Sequence, residues 1–302
     1  MPAPGAHGGD GARLASALGV DVGEILDLSV SLNPCAPHVA DLVRAHADAV
    51  TRYPDPGPAT AALAAAMHVD EANVVLTNGG SEAIALVAAE RPCGDVDPFD
   101  FSLYARHLRW VDPTGPRWRS NPHNPTGRLA PRTEKAAVWD EAFYPLAAGE
   151  WTRRDFGAVV VGSLTKVFAC PGLRAGYVLA PDARFAEAVR ARRPEWSLNA
   201  LAAAVLPELV AAANLPKWAV TIRHLRTVLA GVLRRHGLEP DPSDANYLLV
   251  RRAPGVRDHL GRAGVLVRDT GTFGIHGGVR IAVPDLDGID RLADALPGLP
   301  RE

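Results

Sequence analysis

The sequence predicts an α/β protein with a large and a smaller domain, on two observations. Residues 74–77 form a short apolar run, and Asn-Gly-Gly-Ser-Glu follows it before an apolar stretch at 83–89. This order of strand, glycine turn and helix is an α/β unit. After residue 182 the helical patterns lengthen, and short strands then alternate with helices over 247–296. This second pattern predicts a smaller α+β domain behind a long connecting helix.

Size and charge narrow the class of protein. The chain has 302 residues, of which 47% are hydrophobic and 22% charged, as in ordinary globular proteins with room for two domains. There are 32 basic and 34 acidic residues, which gives a net charge of −2. A nearly neutral chain gives no reason to expect a nucleic acid or an anionic membrane as partner.

Cysteine usage and hydropathy indicate the compartment. The three cysteines lie far apart and form no C-x-x-C pair, so we expect neither a metal site nor a disulfide framework. No apolar run approaches the roughly 18 to 20 residues of a membrane helix. The N-terminus lacks the basic and then apolar pattern of a signal peptide. We therefore expect a cytoplasmic protein.

Lysine is scarce, and one lysine lies in an informative motif. The chain has only three lysines, which a genome biased towards arginine would explain. Ser163-Leu-Thr-Lys166 follows an apolar run at 158–161, and Arg174 follows within Pro-Gly-Leu-Arg-Ala-Gly-Tyr. An amine at the end of a strand could form a Schiff base with an aldehyde, while Ser163, Thr165 and Arg174 hold a phosphate. The alternative is a solvated lysine after a strand.

Three further motifs carry weaker signals. Two Asn-Pro pairs in Asn-Pro-His-Asn-Pro-Thr-Gly, at 121–127, predict a rigid turn that could aim the Asn124 amide at a ligand. Asp140, in Asp-Glu-Ala-Phe, could stay ionised beside a protonated ring nitrogen. Gly79-Gly80-Ser81-Glu82 begins a helix and offers backbone N–H groups to a phosphate, although Ser81 would serve equally as a helix cap.

In this order, the four elements resemble those of the class I/II aminotransferases, which are fold-type-I enzymes that use pyridoxal 5′-phosphate. The resemblance extends from about residue 7 to residue 296. It implies a large, mainly parallel-sheet domain that carries the cofactor and a smaller α+β domain. The predicted division is an N-terminal arm at 1–37, which belongs to the small domain and the substrate site, a large domain at 38–195 and a small domain at 196–302.

The resemblance implies a role for each matching residue. Lys166 would bind the cofactor as a Schiff base and later move the proton at the substrate Cα. Asp140 would pair with the pyridine nitrogen, and Asn124 would donate to the phenolic oxygen. Phe101 would stack on the ring, and Arg280 would take the substrate carboxylate. The cofactor phosphate would be held by Gly80, Ser81, Ser163, Thr165 and Arg174.

The N-terminal motifs resemble one branch of the family. His-Gly-Gly-Asp at 7–10 and the segment 27–34 are similar to threonine-phosphate decarboxylases of cobalamin synthesis. Arg-Tyr-Pro at 52–54 is shared with histidinol-phosphate aminotransferases. In this branch Tyr53 would reach the partner's cofactor phosphate across a homodimer. The substrate site would include His7, Asn33, Asn199 and Arg268. Alternatively, His7 lies in a tail, Asn33 forms only a turn and Tyr53 is a packed aromatic.

Three functions follow as hypotheses. The first is decarboxylation of L-threonine O-3-phosphate or a related phosphorylated amino acid. The second is an aminotransferase of the histidinol-phosphate type or another divergent enzyme of specialised biosynthesis. The third is a non-catalytic protein that binds the cofactor or a metabolite. An aminotransferase would need an added keto acid for turnover, and a decarboxylase would not.

The sequence departs from the family pattern in two places. The spans 82–121 and 127–140 are short, and no convincing strand leads into Asn121. We therefore expect the cofactor-bearing sheet to lack strands. Phe143 stands where many aminotransferases have a tyrosine that donates to the cofactor, and a phenyl ring cannot donate.

Overall fold

Two sheets organise the computed structural model, which describes residues 1–5, 7–155 and 157–299. The strands in these residues are β1 (Leu26–Leu28), β2 (Val74–Asn78), β3 (Cys93–Val96), β4 (Trp110–Val111), β5 (Arg117–Ser120), β6 (Val138–Asp140), β7 (Val159–Ser163), β8 (Ala175–Leu179), β9 (Tyr247–Val250), β10 (Val265–Asp269) and β11 (Val279–Ala282). The α-helices are α1 (Gly11–Leu18), α2 (Val39–Ala45), α3 (Gly57–Met67), α4 (Gly80–Glu90), α5 (Leu103–His107), α6 (Tyr144–Ala148), α7 (Leu164–Val167), α8 (Ala183–Arg192), α9 (Ala200–Ala211), α10 (Leu215–Arg235), α11 (Val256–Arg262) and α12 (Leu286–Ala295).

The larger sheet has seven strands in the order β2-β8-β7-β6-β5-β3-β4. All run parallel except β8, which is antiparallel to both of its neighbours. Helices cover both faces of this sheet. Successive side chains of β7 point to opposite faces and show which helices pack on each. Val159 and Val161 pack on the side of α4 and α8, whereas Val160 packs on the side of α3 and α9. The predicted fold, a mainly parallel sheet with a smaller α+β domain, is confirmed.

The smaller sheet has four strands in the order β1-β10-β11-β9. β1, from the N-terminal arm, pairs in parallel with β10, and the other neighbours are antiparallel. The arm thus adds the edge strand to a sheet that is otherwise built from the last third of the chain. Leu233 of α10, Leu260 of α11 and Ile289 of α12 close its core.

The two domains share α10. Its residues Trp218 and Ile222 pack in the core of the large domain, while Leu229 and Leu233 pack in the core of the small one. α9 also packs in the large core, so the domains meet within α10 rather than at residue 196. No single helix among the described residues is long and apolar enough to span a membrane, and the α9–α10 pair, which would qualify together by length and composition, is bent by 85°.

The prediction that strands are missing before Asn121 is wrong. β5 leads directly into Asn121 and lies between β3 and β6. Trp118 is buried on one face of β5, whereas Arg117 and Arg119 point to the other face and pair with acidic side chains. With one apolar residue among four, β5 shows too little hydrophobic alternation to be recognised from sequence.

The shortening affects a connection instead of the sheet. Residues 121–137 join the parallel neighbours β5 and β6 without a helix, although such crossovers usually contain one. The buried guanidinium of Arg153 organises this link. It donates to four carbonyl oxygens at 2.6–3.2 Å, those of Ala130, Pro131, Arg132 and Glu134.

Candidate active site

The predicted motifs meet at one edge of the large sheet. β2, β5, β6 and β7 run in the same direction, so their carboxyl ends lie together, as is usual for ligand sites in open α/β sheets. A cavity of about 350 Å³ lies between this edge and the small domain. Its size suits a small molecule. Of the sequence-predicted residues, it is lined by His7, Gly80, Ser81, Phe101, Asn124, Asp140, Ser163, Thr165, Lys166, Arg174, Arg268 and Arg280.

Two predicted substrate residues do not line the cavity. Asn33 is buried behind α7, the short helix that carries Lys166, and its side-chain amide donates to the Val167 carbonyl at 2.8 Å. Asn199 caps α9 and donates to the Leu173 carbonyl at 2.6 Å. Backbone carbonyls of distant segments therefore occupy both side-chain amides, so the structure gives neither residue a place at the substrate.

Tyr53 also lies outside the cavity. It is 77% exposed and stacks on Trp196, which is 57% exposed, with 4.4 Å between the ring centroids. It shares a surface groove with Gly172 and Leu173, which immediately precede Arg174. Tyr53 and Trp196 therefore form an exposed aromatic surface beside the end of the cavity that Arg174 lines.

Lys166 lies on α7, directly after β7, and its amine makes no hydrogen bond or ion pair with any residue that the structure describes. Burial, and after it the positive charges of Arg280 and Arg174, lower its pKa to about 8. A larger fraction of the amine is therefore neutral near pH 7 than for an ordinary lysine. A neutral amine facing a cavity is a suitable nucleophile for an aldehyde.

Asp140 ends β6 and faces the cavity without a basic partner among the described residues. One oxygen accepts from the Ala142 N–H at 2.9 Å and the other from the Tyr104 hydroxyl at 2.8 Å. Burial raises its pKa to about 6, and the nearby Asp100 also raises it. A cationic ring nitrogen beside this carboxylate would offset the cost of burying its charge.

A tight cradle forms the end of the cavity at α4. Gly79 has φ +80°, and a Cβ there would lie 2.5 Å from the Arg174 guanidinium. A Cβ on Gly176 would lie 2.4 Å from the carbonyl carbon of Gly79. Free N–H groups at the start of α4 then join the hydroxyls of Ser81 and Ser163. Helix N-termini and such concave backbone turns bind anions, so this cradle fits the cofactor phosphate.

Arg280 forms the opposite end of the cavity, on β11. It is 7% exposed, donates to the side-chain oxygen of Asn124 and lies against the rings of Tyr247 and Phe273. Its Nε is buried and has no hydrogen-bond partner among the residues that the structure describes. Burial lowers the pKa of this guanidinium. A buried cation with an unused donor would be satisfied by an anionic ligand such as a carboxylate.

Arg268 stands directly opposite Arg280 in the pairing of β10 with β11. It donates to the Gly5 carbonyl at 3.3 Å and to the Thr272 hydroxyl at 2.9 Å, so it also ties down the N-terminal arm. Burial and then the charge of Arg280 lower its pKa to about 10. His7, from the arm, packs its ring against that of Phe101, with 5.6 Å between the ring centroids. This end of the cavity is therefore cationic.

Three cavity residues were missed or left without a role by the sequence. Tyr104 holds Asp140 through its hydroxyl, and its place three residues after Phe101 in the same short motif was the signal available in the sequence. Phe273 packs between Arg268 and Arg280, which no local pattern indicated. Phe143 lines the cavity and packs its ring on Tyr247 at 5.2 Å, so no hydroxyl stands at its position.

Comparisons with known proteins agree with the fold and with the family resemblance. Residues 118–296 match the family model "Aminotransferase class I and II". The chain is 28% identical to histidinol-phosphate aminotransferase 1 of Dechloromonas aromatica, over 90% of this chain and 89% of that protein. It is 30% identical to threonine-phosphate decarboxylase of Salmonella typhimurium, over 66% of this chain and 68% of that protein. The fold matches the histidinol-phosphate aminotransferase of Sinorhizobium meliloti in complex with pyridoxal-5′-phosphate, with a TM-score of 0.82, 19% identity and coverage of 99% and 95%.

Proposed function

Since the chain belongs to the aminotransferase class I and II family, which depends on pyridoxal 5′-phosphate, we propose that it acts on a small phosphorylated amino acid. The concrete reaction is decarboxylation of L-threonine O-3-phosphate. The observation that carries this proposal is the pair Arg268 and Arg280, which stand opposite each other in one cavity. A substrate with two anionic groups, a carboxylate and a phosphate, would engage both guanidinium groups.

The cofactor would occupy the edge of the large sheet. Bound pyridoxal phosphate withdraws electrons from the bonds at the substrate Cα. Asp140 would face the pyridine nitrogen, Asn124 the phenolic oxygen and Phe101 the ring face. The cradle around Gly79 and Arg174 would hold the phosphate. These positions leave the amine of Lys166 within the cavity, where it would bind the cofactor aldehyde and later hold or deliver the proton at the substrate Cα.

The substrate would span the cationic end of the cavity. Arg280 would bind the carboxylate with its unused Nε, while Arg268 and His7 would bind the phosphate. Burial and the charges of Arg268 and Arg106 lower the pKa of His7, so its ring would act at neutral pH as a neutral N–H donor. Phe273 packs beside both guanidinium groups and would keep water from them.

The N-terminal arm favours the decarboxylase branch. Its His-Gly-Gly motif lines the cavity, and Gly9 donates to the Ser29 hydroxyl at 2.9 Å. A Cβ on Gly8 would lie 2.5 Å from the Ser29 carbonyl oxygen, so glycine is needed for this close approach. The segment that resembles threonine-phosphate decarboxylases is thus part of the cavity wall. A decarboxylase must hold the bond between the substrate Cα and its carboxylate perpendicular to the cofactor ring. The arm would set the orientation of the substrate relative to that ring.

The second candidate is transamination of the histidinol-phosphate type. It is favoured by the relatives that resemble the chain over about nine tenths of its length, which carry that activity in their names. Such an enzyme must align the Cα–H bond instead and return its proton to the cofactor. Arg280 and Lys166 would serve either reaction.

The test is the dependence of turnover on a keto acid. The protein loaded with pyridoxal phosphate is incubated with L-threonine O-3-phosphate, with and without 2-oxoglutarate, and carbon dioxide and aminopropanol phosphate are measured. We expect both products without keto acid, and at least 100-fold lower kcat/KM with unphosphorylated threonine. The Lys166→Ala protein serves as the blank. Turnover of histidinol phosphate that requires 2-oxoglutarate, with no carbon dioxide released, would establish the second candidate instead.

We also propose that the chain acts as a homodimer. The exposed pair of Tyr53 and Trp196 lies beside the phosphate cradle, where a second copy would bury it and could bring Tyr53 to the partner's cofactor. Sedimentation of the wild type and of Tyr53→Ala tests this proposal. We expect a dimer for the wild type, and weaker cofactor binding for the variant. A monomeric wild type that binds the cofactor fully would contradict it.

A further inference from the structure

Asp100 is a buried carboxylate immediately behind the cavity wall. It lies between β3 and α5, one residue before Phe101, and is 3% exposed. It does not line the cavity, whereas its neighbours Phe101, Tyr104 and Ser120 do. The carboxylate therefore lies next to the cavity but would not contact a molecule bound in it.

Three donors satisfy the two oxygens of Asp100. Oδ1 accepts from the Ser120 hydroxyl at 2.5 Å and from the Phe101 N–H at 2.7 Å. Oδ2 accepts from the Ser120 N–H at 2.9 Å. An ionised carboxylate is an acceptor only and matches this set of donors. Asp100 thus fixes the backbone at the start of the Phe101 segment and at the end of β5.

The hydroxyl of Ser120 extends this anchoring to Asn124. Its oxygen accepts from the Asn124 N–H at 2.8 Å while its single proton is donated to Asp100. The hydroxyl is therefore oriented by both neighbours and cannot turn to another acceptor without losing the bond to Asp100. Asn124 is positioned by Asp100 through one intervening side chain.

We infer that Asp100 is a positioning residue for the cofactor, because it anchors the backbone N–H groups of two residues, Phe101 directly and Asn124 through Ser120, whose side chains would contact different parts of the expected ring. Phe101 would stack on the ring face, and Asn124 would donate to the phenolic oxygen at the ring edge. A single buried carboxylate sets the separation between these two groups. The inference concerns the cofactor alone, so failure of the proposed substrate would leave it standing.

The test compares cofactor binding and cofactor orientation in Asp100→Asn. The amide keeps the size of the side chain but replaces one acceptor oxygen by a group that cannot accept. At pH 8 we expect the Kd for pyridoxal phosphate to rise at least tenfold. We also expect the visible circular dichroism per bound cofactor to fall by at least half, because a loosely held ring has less fixed asymmetry.

The matched control is Asp112→Asn. Asp112 lies in the link between β4 and β5, away from the cavity, and also accepts from a backbone N–H and a hydroxyl, both of Thr114 at 2.8 Å. We expect wild-type values for the control in both measurements. Wild-type affinity and dichroism in folded Asp100→Asn would overturn the inference. Weaker binding with unchanged dichroism per bound cofactor would also overturn it, because lost stability alone lowers occupancy without changing orientation.

Ser120→Ala provides the second variant, which removes the hydroxyl link but leaves the Asp100 carboxylate in place. We expect a similar loss of affinity, and the double variant should bind no more than twofold more weakly than Asp100→Asn. If Asp100→Asn does not fold, the affinity and dichroism of Ser120→Ala are the test of the inference. A Kd within twofold of wild type would then refute the inference, and a Kd raised several-fold with reduced dichroism would support it.

Discussion

Arg280 donates a hydrogen bond from Nη1 to the side-chain oxygen of Asn124, and this contact fixes which way the Asn124 amide faces. The NH₂ group of Asn124 makes no hydrogen bond to any residue that the structure describes, so it is available to an acceptor in the cavity. The contact also joins β11 of the small domain to the turn after β5. If Arg280 binds the substrate carboxylate as proposed, that binding would be coupled to the position of the Asn124 amide.

Arg280→Lys tests the carboxylate site. A lysine offers a point charge and cannot hold Asn124 while donating twice to a carboxylate. We expect KM to rise roughly 100-fold, about the value of one lost charge-assisted hydrogen bond, while the Kd for pyridoxal phosphate stays within threefold. The control is Arg251→Lys, whose residue forms an exposed ion pair with Asp241. An unchanged KM would show that the carboxylate binds elsewhere.

The pH dependence of stability tests the environment of Asp140. Its folded pKa, about 6, lies above the ordinary value, so the folded state holds the proton more tightly than the unfolded state. Stability of the cofactor-free protein should therefore fall as pH rises from 4 to about 7. The pKa values of Asp100, at about 6, and Glu141, at about 7, are also raised by burial and act in the same direction.

Asp140→Asn should remove part of this effect. We expect the cofactor-free variant to melt roughly 5 °C above the wild type at pH 8, with a smaller gain at pH 5. The Kd for pyridoxal phosphate should rise roughly 100-fold, because the cationic ring nitrogen loses its counterion. Calorimetry and equilibrium dialysis measure the two effects. A variant that is destabilised at pH 8, or that keeps wild-type affinity, would contradict the role given to Asp140.

The rate of cofactor incorporation tests the lowered pKa of Lys166. Only the neutral amine attacks an aldehyde, and the pKa of about 8 places half of the amine in that form at pH 8. The rate at fixed pyridoxal phosphate should rise about tenfold from pH 7 to pH 9 and then level off. Stopped-flow absorbance follows it. A rate that keeps rising steeply to pH 10 would indicate an ordinary lysine.

Arg153→Lys tests the link between β5 and β6, which lacks a helix. The Arg153 guanidinium holds four carbonyls and stacks on the Trp139 ring at 4.5 Å. A lysine cannot reproduce this fork of donors. We expect the free energy of unfolding to fall by roughly 2–3 kcal/mol in urea titrations. Arg44→Lys, at an exposed ion pair, should change it by less than about 0.5 kcal/mol. Equal stability of both variants would contradict this account.

Part of the clustering of the predicted cofactor residues has a physical reason that the sequence contains. Asp140 ends β6 and Lys166 directly follows β7, and the carboxyl ends of parallel strands meet at one edge of the sheet. Once the strands are recognised, proximity follows without knowledge of the packing. Twelve of the residues to which the family resemblance assigned roles line one cavity.

The remaining predictions depended on contacts that local patterns do not encode. Asn33 and Asn199 are polar residues near the right segments, but distant backbone carbonyls occupy their amides. β5 was missed because one of its faces is formed by arginines whose acidic partners lie elsewhere in the chain. The role of Asp100 depends on Ser120, twenty residues away on a neighbouring strand.

The most direct measurement of the central claim is the visible absorption spectrum of the purified protein with pyridoxal phosphate, beside that of Lys166→Ala. The claim is that the shortened chain still builds a complete cofactor site around Lys166. It predicts an absorption band that is retained after dialysis in the wild type and absent from the folded variant. A wild type without such a band, or a variant that keeps it, would contradict the claim.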